Sequence, residues 1–209
     1  MSDYSFWLLF FSTALALNIA PGPDLLYILT KTVANGKKVG VASALGVCTG
    51  ALVHVFAAAV GLSAVLASSA LAFTVVKYIG AGYLLYLAWK SFSSAGSLLN
   101  IESQTVPKET AMAAFKQGVM VDILNPKVAI FFMAFLPQFV REGYGEVPFQ
   151  LMYLGLLIIV VAIIVEVIYV LAASILTQKL RSSQRFSLWL ERFVGTVFVV
   201  LGVKLVADS

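Results

Sequence analysis

Cysteine and histidine are almost absent from this chain, which has Cys48 and His54 as the single residue of each type. One cysteine cannot form an internal disulfide, and we expect Cys48 to be a small apolar residue of a helix. With one histidine and scattered carboxylates, no metal-ligand spacing is present, so the sequence predicts neither a metal site nor a cofactor. The sequence also lacks a recognisable nucleophile–base pair, which argues against an enzyme.

Charged residues are scarce as well: they make up 11% of the chain, while 61% is hydrophobic and the mean hydropathy is +0.97. Soluble domains carry about 25% charged and about 45–50% apolar residues. The composition therefore predicts an integral membrane protein whose main neighbour is the lipid bilayer. The net charge of +4 does not indicate nucleic-acid binding, because the basic residues cluster between apolar runs.

Six apolar runs are long enough to cross a membrane, since a spanning helix needs about 20 residues. They cover about 4–30, 41–66, 71–92, 113–140, 149–176 and 188–206. The sequence thus predicts an all-α membrane protein with a first three-helix repeat at 1–92, a cytoplasmic linker at 93–112 and a second repeat at 113–209. Because each repeat has an odd number of helices, the second enters the membrane from the opposite face, which is an inverted topology.

The distribution of basic residues predicts the orientation. Cytoplasmic loops carry an excess of Lys and Arg. Here these residues concentrate in the first, third and fifth connections, while no Lys or Arg precedes Lys31. We therefore expect both termini to be periplasmic. The Ala14-Leu15-Ala16 triplet resembles a signal-peptide cleavage site, but the missing positive charge before it predicts that the first segment is retained.

Prolines interrupt the first predicted helix of each repeat, at Pro21-Gly22-Pro23 and at Pro126. Proline has no N–H, so it breaks the helical hydrogen-bond ladder. The carbonyls that it frees cannot be left facing lipid. Corresponding interruptions in the two halves of a transporter point to a binding site between them. We therefore predict that the two breaks meet around a polar site.

Polar residues flank both breaks. Intramembrane carboxylates cost roughly 2.5–3.5 kcal/mol to insert, so Asp24 and Asp122 are candidates to hold a substrate ammonium group. The alternatives are structural: Asp24 would cap the half-helix that follows it, and Asp122 would pair with Lys127 or Lys116. Lys127 would then hold either a substrate carboxylate or Asp122. The predicted substrate-binding residues are Asn18, Pro21, Gly22, Pro23, Asp24, Asp122, Asn125, Pro126 and Lys127.

Two further ionisable residues lie midway along predicted helices that are equivalent in the two repeats, His54 in the second and Glu166 in the fifth. A lone histidine is more often a satisfied core residue, whereas a glutamate in so apolar a run is a candidate for proton transfer. Gly46 and Gly50 form a small-xxx-small face that favours close helix packing. The candidates for proton coupling are Asp24, Asp122, Glu166 and His54.

Short motifs along the whole chain resemble those of the LysE/RhtB family of bacterial amino-acid exporters. The resemblance implies secondary active export of amino acids across the inner membrane, coupled to inward proton movement, and it allows for homodimers. Few acidic residues are available for a cationic side chain, so we favour small neutral substrates. Efflux of a metal ion or another toxic solute by a related fold is the alternative. The motifs are Asn18-Ile19-Ala20-Pro21-Gly22-Pro23, residues 77–87, Phe115-Lys116-Gln117-Gly118, Asn125-Pro126-Lys127 and Pro137-Gln138-Phe139.

Overall fold

A computed structural model describes residues 3–20, 22–62 and 109–175, together with isolated helical positions between 74 and 93 and between 192 and 203. Within these residues all regular secondary structure is helical. Most of the predicted helices 71–92 and 188–206, most of the linker and Pro21 lie outside the described residues. The six-helix count and the division at 1–92, 93–112 and 113–209 therefore stay predictions.

The first predicted span is a broken pair of helices, α1 (Asp3–Ile19) and α2 (Pro23–Asn35), whose axes differ by 55°. Gly22 precedes α2 in an extended conformation, and Pro23 occupies the first helical position. Proline is favoured there because its missing N–H would have no partner inside the helix. Gly36 ends α2 with φ 84°, a conformation that glycine adopts without strain.

The next helix, α3 (Lys37–Ala57), continues through a π-helical turn at Ala58–Leu62. Its length and hydropathy are sufficient for it to cross a membrane. It corresponds to the predicted span 41–66.

A second broken pair follows, formed by α4 (Ala111–Ile123) and α5 (Pro126–Ala134) with a 51° bend, and a 3-10 turn at Leu136–Phe139 completes it. The Thr110 hydroxyl caps α4 by accepting a hydrogen bond from the Ala113 N–H at 3.2 Å. Pro126 begins α5 as Pro23 begins α2. The last described helix is α6 (Val147–Ile175), a second span that is long and apolar enough to cross a membrane.

Polar contacts at the ends show that the two broken pairs run antiparallel. At one end Lys31 forms an ion pair with Glu109, and the Glu109 N–H donates to Asn35 Oδ1 at 2.9 Å. At the other end Arg141 Nη2 lies 2.6 Å from Asp3 Oδ1. At one side, the end of the first broken pair thus adjoins the start of the second. At the opposite side, the start of the first pair adjoins the end of the second. Inverted repeats require this arrangement.

Helices α3 and α4 pack closely because glycines face the contact. A Cβ atom on Gly46 would lie 2.2 Å from the Phe115 carbonyl oxygen, and one on Gly118 would lie 2.6 Å from the Ser43 carbonyl oxygen. Gly50 similarly adjoins Asp122. The small-residue face predicted at Gly46 and Gly50 therefore brings α4, and with it the second break, against α3.

Candidate functional site

The two helix breaks meet, and a buried ion pair joins them. Lys127, in the first turn of α5, places its Nζ 2.8 Å and 3.1 Å from the two carboxylate oxygens of Asp24, in the first turn of α2. The side chains are 3% and 10% exposed. The break of each half therefore contributes one charge to a single site.

Lys127 also repairs the backbone at the first break. Its Nζ donates to the Ala20 carbonyl oxygen at 3.1 Å and to the Leu17 carbonyl oxygen at 3.4 Å. These carbonyls lie at the end of α1, where the proline interruption removes their helical partners. An ammonium group from the other break satisfies them, which explains how a broken helix is tolerated at membrane depth.

Asp24 does not cap α2, so that structural alternative is wrong. Gly22 is the N-cap residue, and no side chain makes a capping hydrogen bond there. The Asp24 carboxylate instead faces Lys127 while the positive end of the α2 dipole lies behind it. Gly22 allows this approach, because a Cβ atom on it would lie 2.3 Å from Asp24 Oδ1 and 2.7 Å from Lys127 Nζ.

Asp122 forms no ion pair with Lys127 or Lys116, so this alternative is wrong as well. Its Oδ2 atom has no hydrogen-bond partner among the described residues and lies 3.9 Å from His54 Nε2. His54 Nε2 is closer, at 2.9 Å, to the Asp122 carbonyl oxygen at the end of α4. The histidine thus supports the backbone at the second break, as a satisfied core residue does.

The two asparagines both bond to the backbone of a helix next to a break. Asn18 Nδ2 donates to the Ala14 carbonyl oxygen one turn earlier, at 2.7 Å. Asn125 Oδ1 caps α5 by accepting a hydrogen bond from the Lys127 N–H at 3.1 Å. The Asn125 Nδ2 group, which is buried, has no partner in the described part of the chain.

Glu166 is buried in the middle of α6, with 5% of its surface exposed. Its Oε2 atom accepts a hydrogen bond from Cys48 Sγ on α3 at 3.3 Å. Cys48 is therefore more than the small apolar residue that the sequence led us to expect. No local pattern could have revealed this contact, because the two residues are 118 positions apart.

Three carboxylates and one lysine form a single electrostatic unit inside the protein, which we call the charge cluster: Asp24, Asp122, Glu166 and Lys127. Each of its members is at most 7% exposed, and the charges of Asp24 and Lys127 act on both other carboxylates. Carboxyl groups therefore outnumber the lysine by two. Among the described residues, no group of three His, Cys, Asp or Glu side chains is placed to hold a metal ion.

The two sides of the charge cluster differ in packing. On the side of Asp3 and Arg141, aromatic rings of α1 pack edge to face on Phe139 of the 3-10 turn, and Phe135, just after α5, adds a tilted contact to the same core. On the side of Glu109, a groove of about 560 Å³ opens between α2 and α4. The groove is lined by Tyr27, Lys31, Lys116, Gln117, Met120 and Val121.

The sequence is similar to those of known membrane transport proteins. The sequence profile of the LysE type translocators matches residues 15–209. The chain is 32% identical over 195 residues to the uncharacterized membrane protein YrhP of Bacillus subtilis, covering 89% of this chain and 91% of the relative. It is 28% identical over 203 residues to the homoserine/homoserine lactone efflux protein of Salmonella typhimurium, covering 97% and 96%. No solved structure matches the chain.

Proposed function

Because the chain belongs to the LysE type translocator family and is a multi-pass membrane transporter of amino-acid-like solutes, we propose that it exports small neutral amino acids by proton antiport. The membrane is the bacterial inner membrane, with both termini periplasmic. The observation that carries the proposal is the ion pair between Asp24 and Lys127, which joins the two helix breaks. Homodimers are part of the proposal by family analogy alone.

The ion pair has the same charges as the substrate. An amino acid carries one carboxylate and one ammonium group, so it can exchange partners with the Asp24–Lys127 pair. The substrate carboxylate binds Lys127 beside the positive N-terminal ends of α2 and α5, and the substrate ammonium binds Asp24. Each buried charge keeps an opposite partner before and after the exchange, which avoids the cost of an unpaired buried charge.

The surplus of carboxylates in the charge cluster supports proton coupling. Lys127 contacts Asp24, so Asp122 and Glu166 lie in the interior without a lysine of their own among the described residues. Isolated buried carboxylates are costly when ionised and tend to bind protons instead. We assign the coupling proton to Glu166, whose described hydrogen-bond partner is the Cys48 thiol. His54 acts on the backbone of the second break.

The packing on the two sides of the charge cluster supports alternating access. With the proposed orientation, the aromatic core of α1 and α5 closes the periplasmic side, and the groove between α2 and α4 faces the cytoplasm. In the proposed cycle, substrate enters along this groove from inside the cell. Export then requires α1 and α5 to move apart on the periplasmic side, while α2 and α4 move together and close the groove.

Reconstitution in proteoliposomes tests the proposal. Vesicles are loaded with labelled L-homoserine, L-threonine or L-leucine, and efflux is measured with and without an imposed pH gradient. We expect gradient-driven efflux of at least one of these amino acids, abolished by a protonophore and lost in Asp24→Asn and Asp122→Asn. Full proton-coupled export by both variants would contradict the assignment of the site. An absence of any amino-acid efflux by the wild-type protein would contradict the function.

A further inference from the structure

We propose that Asp122 and Asn125 form a specificity subsite that hydrogen-bonds a hydroxyl group on the substrate side chain. This inference rests on the proposed function and adds to it the chemical group by which substrates are distinguished. The two residues flank the second helix break, next to the lysine that we assign to the substrate carboxylate.

In each residue one polar group makes hydrogen bonds, and another has no partner among the described residues. The Asp122 carbonyl oxygen accepts hydrogen bonds from the Asn125 N–H at 2.8 Å and from His54 Nε2 at 2.9 Å. Asn125 Oδ1 caps α5 through the Lys127 N–H. Asp122 Oδ2 and Asn125 Nδ2 have no partner among the described residues, although the residues are only 2% and 1% exposed.

Two such atoms on one short turn need a physical explanation. A buried polar atom without a hydrogen bond costs about 1–3 kcal/mol, so native structures contain few of them. The turn between Asp122 and Asn125 is fixed by its own backbone hydrogen bond and by His54, and the Asn125 side chain is held by the Lys127 N–H, without a bond at Asp122 Oδ2 or Asn125 Nδ2. A preorganised acceptor and donor are what a polar ligand group requires.

The pair of atoms selects the chemistry of the ligand group. Asn125 Nδ2 is a donor, and Asp122 Oδ2 is an acceptor in the ionised form of the carboxylate, which is the form that the subsite requires. An ammonium group offers donors alone, a carboxylate offers acceptors alone and is repelled by Asp122, and a methyl group offers neither. A hydroxyl group both donates and accepts, so it satisfies both atoms. The Lys127 N–H donates to Asn125 Oδ1 at 3.1 Å, so the subsite adjoins the first turn of the helix that carries the lysine assigned to the substrate carboxylate.

Competing efflux of L-homoserine and L-norvaline tests the proposal with the full chain in proteoliposomes. Their side chains have the same number of heavy atoms and differ in a terminal hydroxyl or methyl group. We expect the wild-type protein to prefer homoserine by roughly tenfold or more in kcat/KM, since a site built for a hydroxyl group discriminates against an analogue that lacks it. The readout is the ratio of the kcat/KM values for the two substrates. A general loss of transport lowers both values and leaves this ratio unchanged.

Asn125→Ser is the informative variant. Serine is a good N-cap and can retain the hydrogen bond to the Lys127 N–H, while the Nδ2 donor is removed. We expect the homoserine preference to fall by about tenfold or more. Asn125→Asp keeps the capping oxygen and replaces the donor by an acceptor, so it should also lower the homoserine preference. This variant replaces the serine variant in the test if the serine variant does not fold. Gln138→Ser is the control. It removes an amide of the 3-10 turn whose Nε2 donates to the Ala134 carbonyl oxygen, and it should leave the ratio of homoserine to norvaline efflux unchanged.

The outcomes separate this inference from the proposed function. If the wild-type protein exports both amino acids without preference, or if the Asn125 variants keep the wild-type ratio, ordered water satisfies the two atoms and the subsite is refuted while export stands. If L-asparagine outcompetes homoserine in an Asn125-dependent way, the recognised group is a carboxamide and the hydroxyl assignment is wrong. If no amino acid is exported, both proposals fail.

Discussion

The Lys127 ammonium lies 2.8 Å from Asp24 Oδ2, although 103 positions separate the two residues. Each residue stands in the first turn of a helix that begins with a proline, so the contact joins two breaks and not two continuous helices. The same ammonium binds the carbonyls left free at the end of α1. One side chain therefore stabilises the interruption and, in the proposed mechanism, also offers a charge to the substrate.

A stability cycle on this pair should show strong coupling. Asp24→Asn or Lys127→Gln each leaves one buried charge without its partner, so we expect each to lower the free energy of unfolding by roughly 3–5 kcal/mol. The double variant should recover a large part of the loss, because no uncompensated charge remains. Denaturant unfolding in detergent micelles measures the cycle. The exposed Asp3–Arg141 pair is the matched control, and its cycle should show little or no coupling because solvent screens an exposed ion pair.

Gly22→Ala should impair transport through sterics alone. Gly22 has φ −151°, which any residue adopts, so the substitution introduces no backbone strain. Its methyl group would stand 2.3 Å from Asp24 Oδ1 and must displace the ion pair. We expect efflux to fall by about tenfold or more, since misplacing binding groups by about 1 Å can cost 10²-fold. Gly61→Ala, whose Cβ would meet nothing within 4 Å, should transport as the wild type does. Equal efflux by the two variants would refute the steric role of Gly22.

Glu166→Gln should weaken the link between efflux and the pH gradient. The substitution keeps the shape of the side chain and removes the ionisable group. Among the described residues, the titratable and charged groups that act on it are Cys48 on α3, Asp24 on α2, Asp122 on α4 and Lys127 on α5. We expect the ratio of efflux with a gradient to efflux without one to fall towards one. A ratio as large as that of the wild type would assign the proton to another carboxylate.

Thiol labelling should place the two ends of the broken pairs on opposite sides of the membrane. Lys38, after α2, and Glu142, after the 3-10 turn, are both exposed. Cys48 is buried and contributes little background. A membrane-impermeant maleimide should label Glu142→Cys in intact cells. It should label Lys38→Cys only after the cells have been permeabilised. The reverse pattern would place the termini in the cytoplasm and invert the proposed direction of opening.

The breaks and the described spans could be predicted from the sequence because they depend on local covalent properties. Pro23 and Pro126 have no N–H to donate, so each could begin a helix but not continue one. The lengths of the apolar runs follow from the thickness of the bilayer. The meeting of the breaks followed from the expectation that freed carbonyls must find partners away from lipid.

The partner of Lys127 could not be predicted because it depends on the register of two antiparallel spans. Asp122 and Lys127 are near in sequence, being five positions apart, but side chains that meet on a helix are three or four positions apart. In addition, residues 124 and 125 are not helical, so Asp122 and Lys127 belong to helices with a 51° bend between them. The ion pair with Asp24 and the Cys48–Glu166 hydrogen bond both cross between elements far apart in sequence.

Counterflow of labelled amino acid at equal pH, measured for wild type, Asp24→Asn, Lys127→Gln and the double variant, tests the central claim most directly. If the pair exchanges partners with the substrate, all three variants lose counterflow by about tenfold or more, and the double variant stays inactive although its fold is restored. Recovery of counterflow in the double variant would show that the ion pair serves the fold alone and that the substrate binds elsewhere.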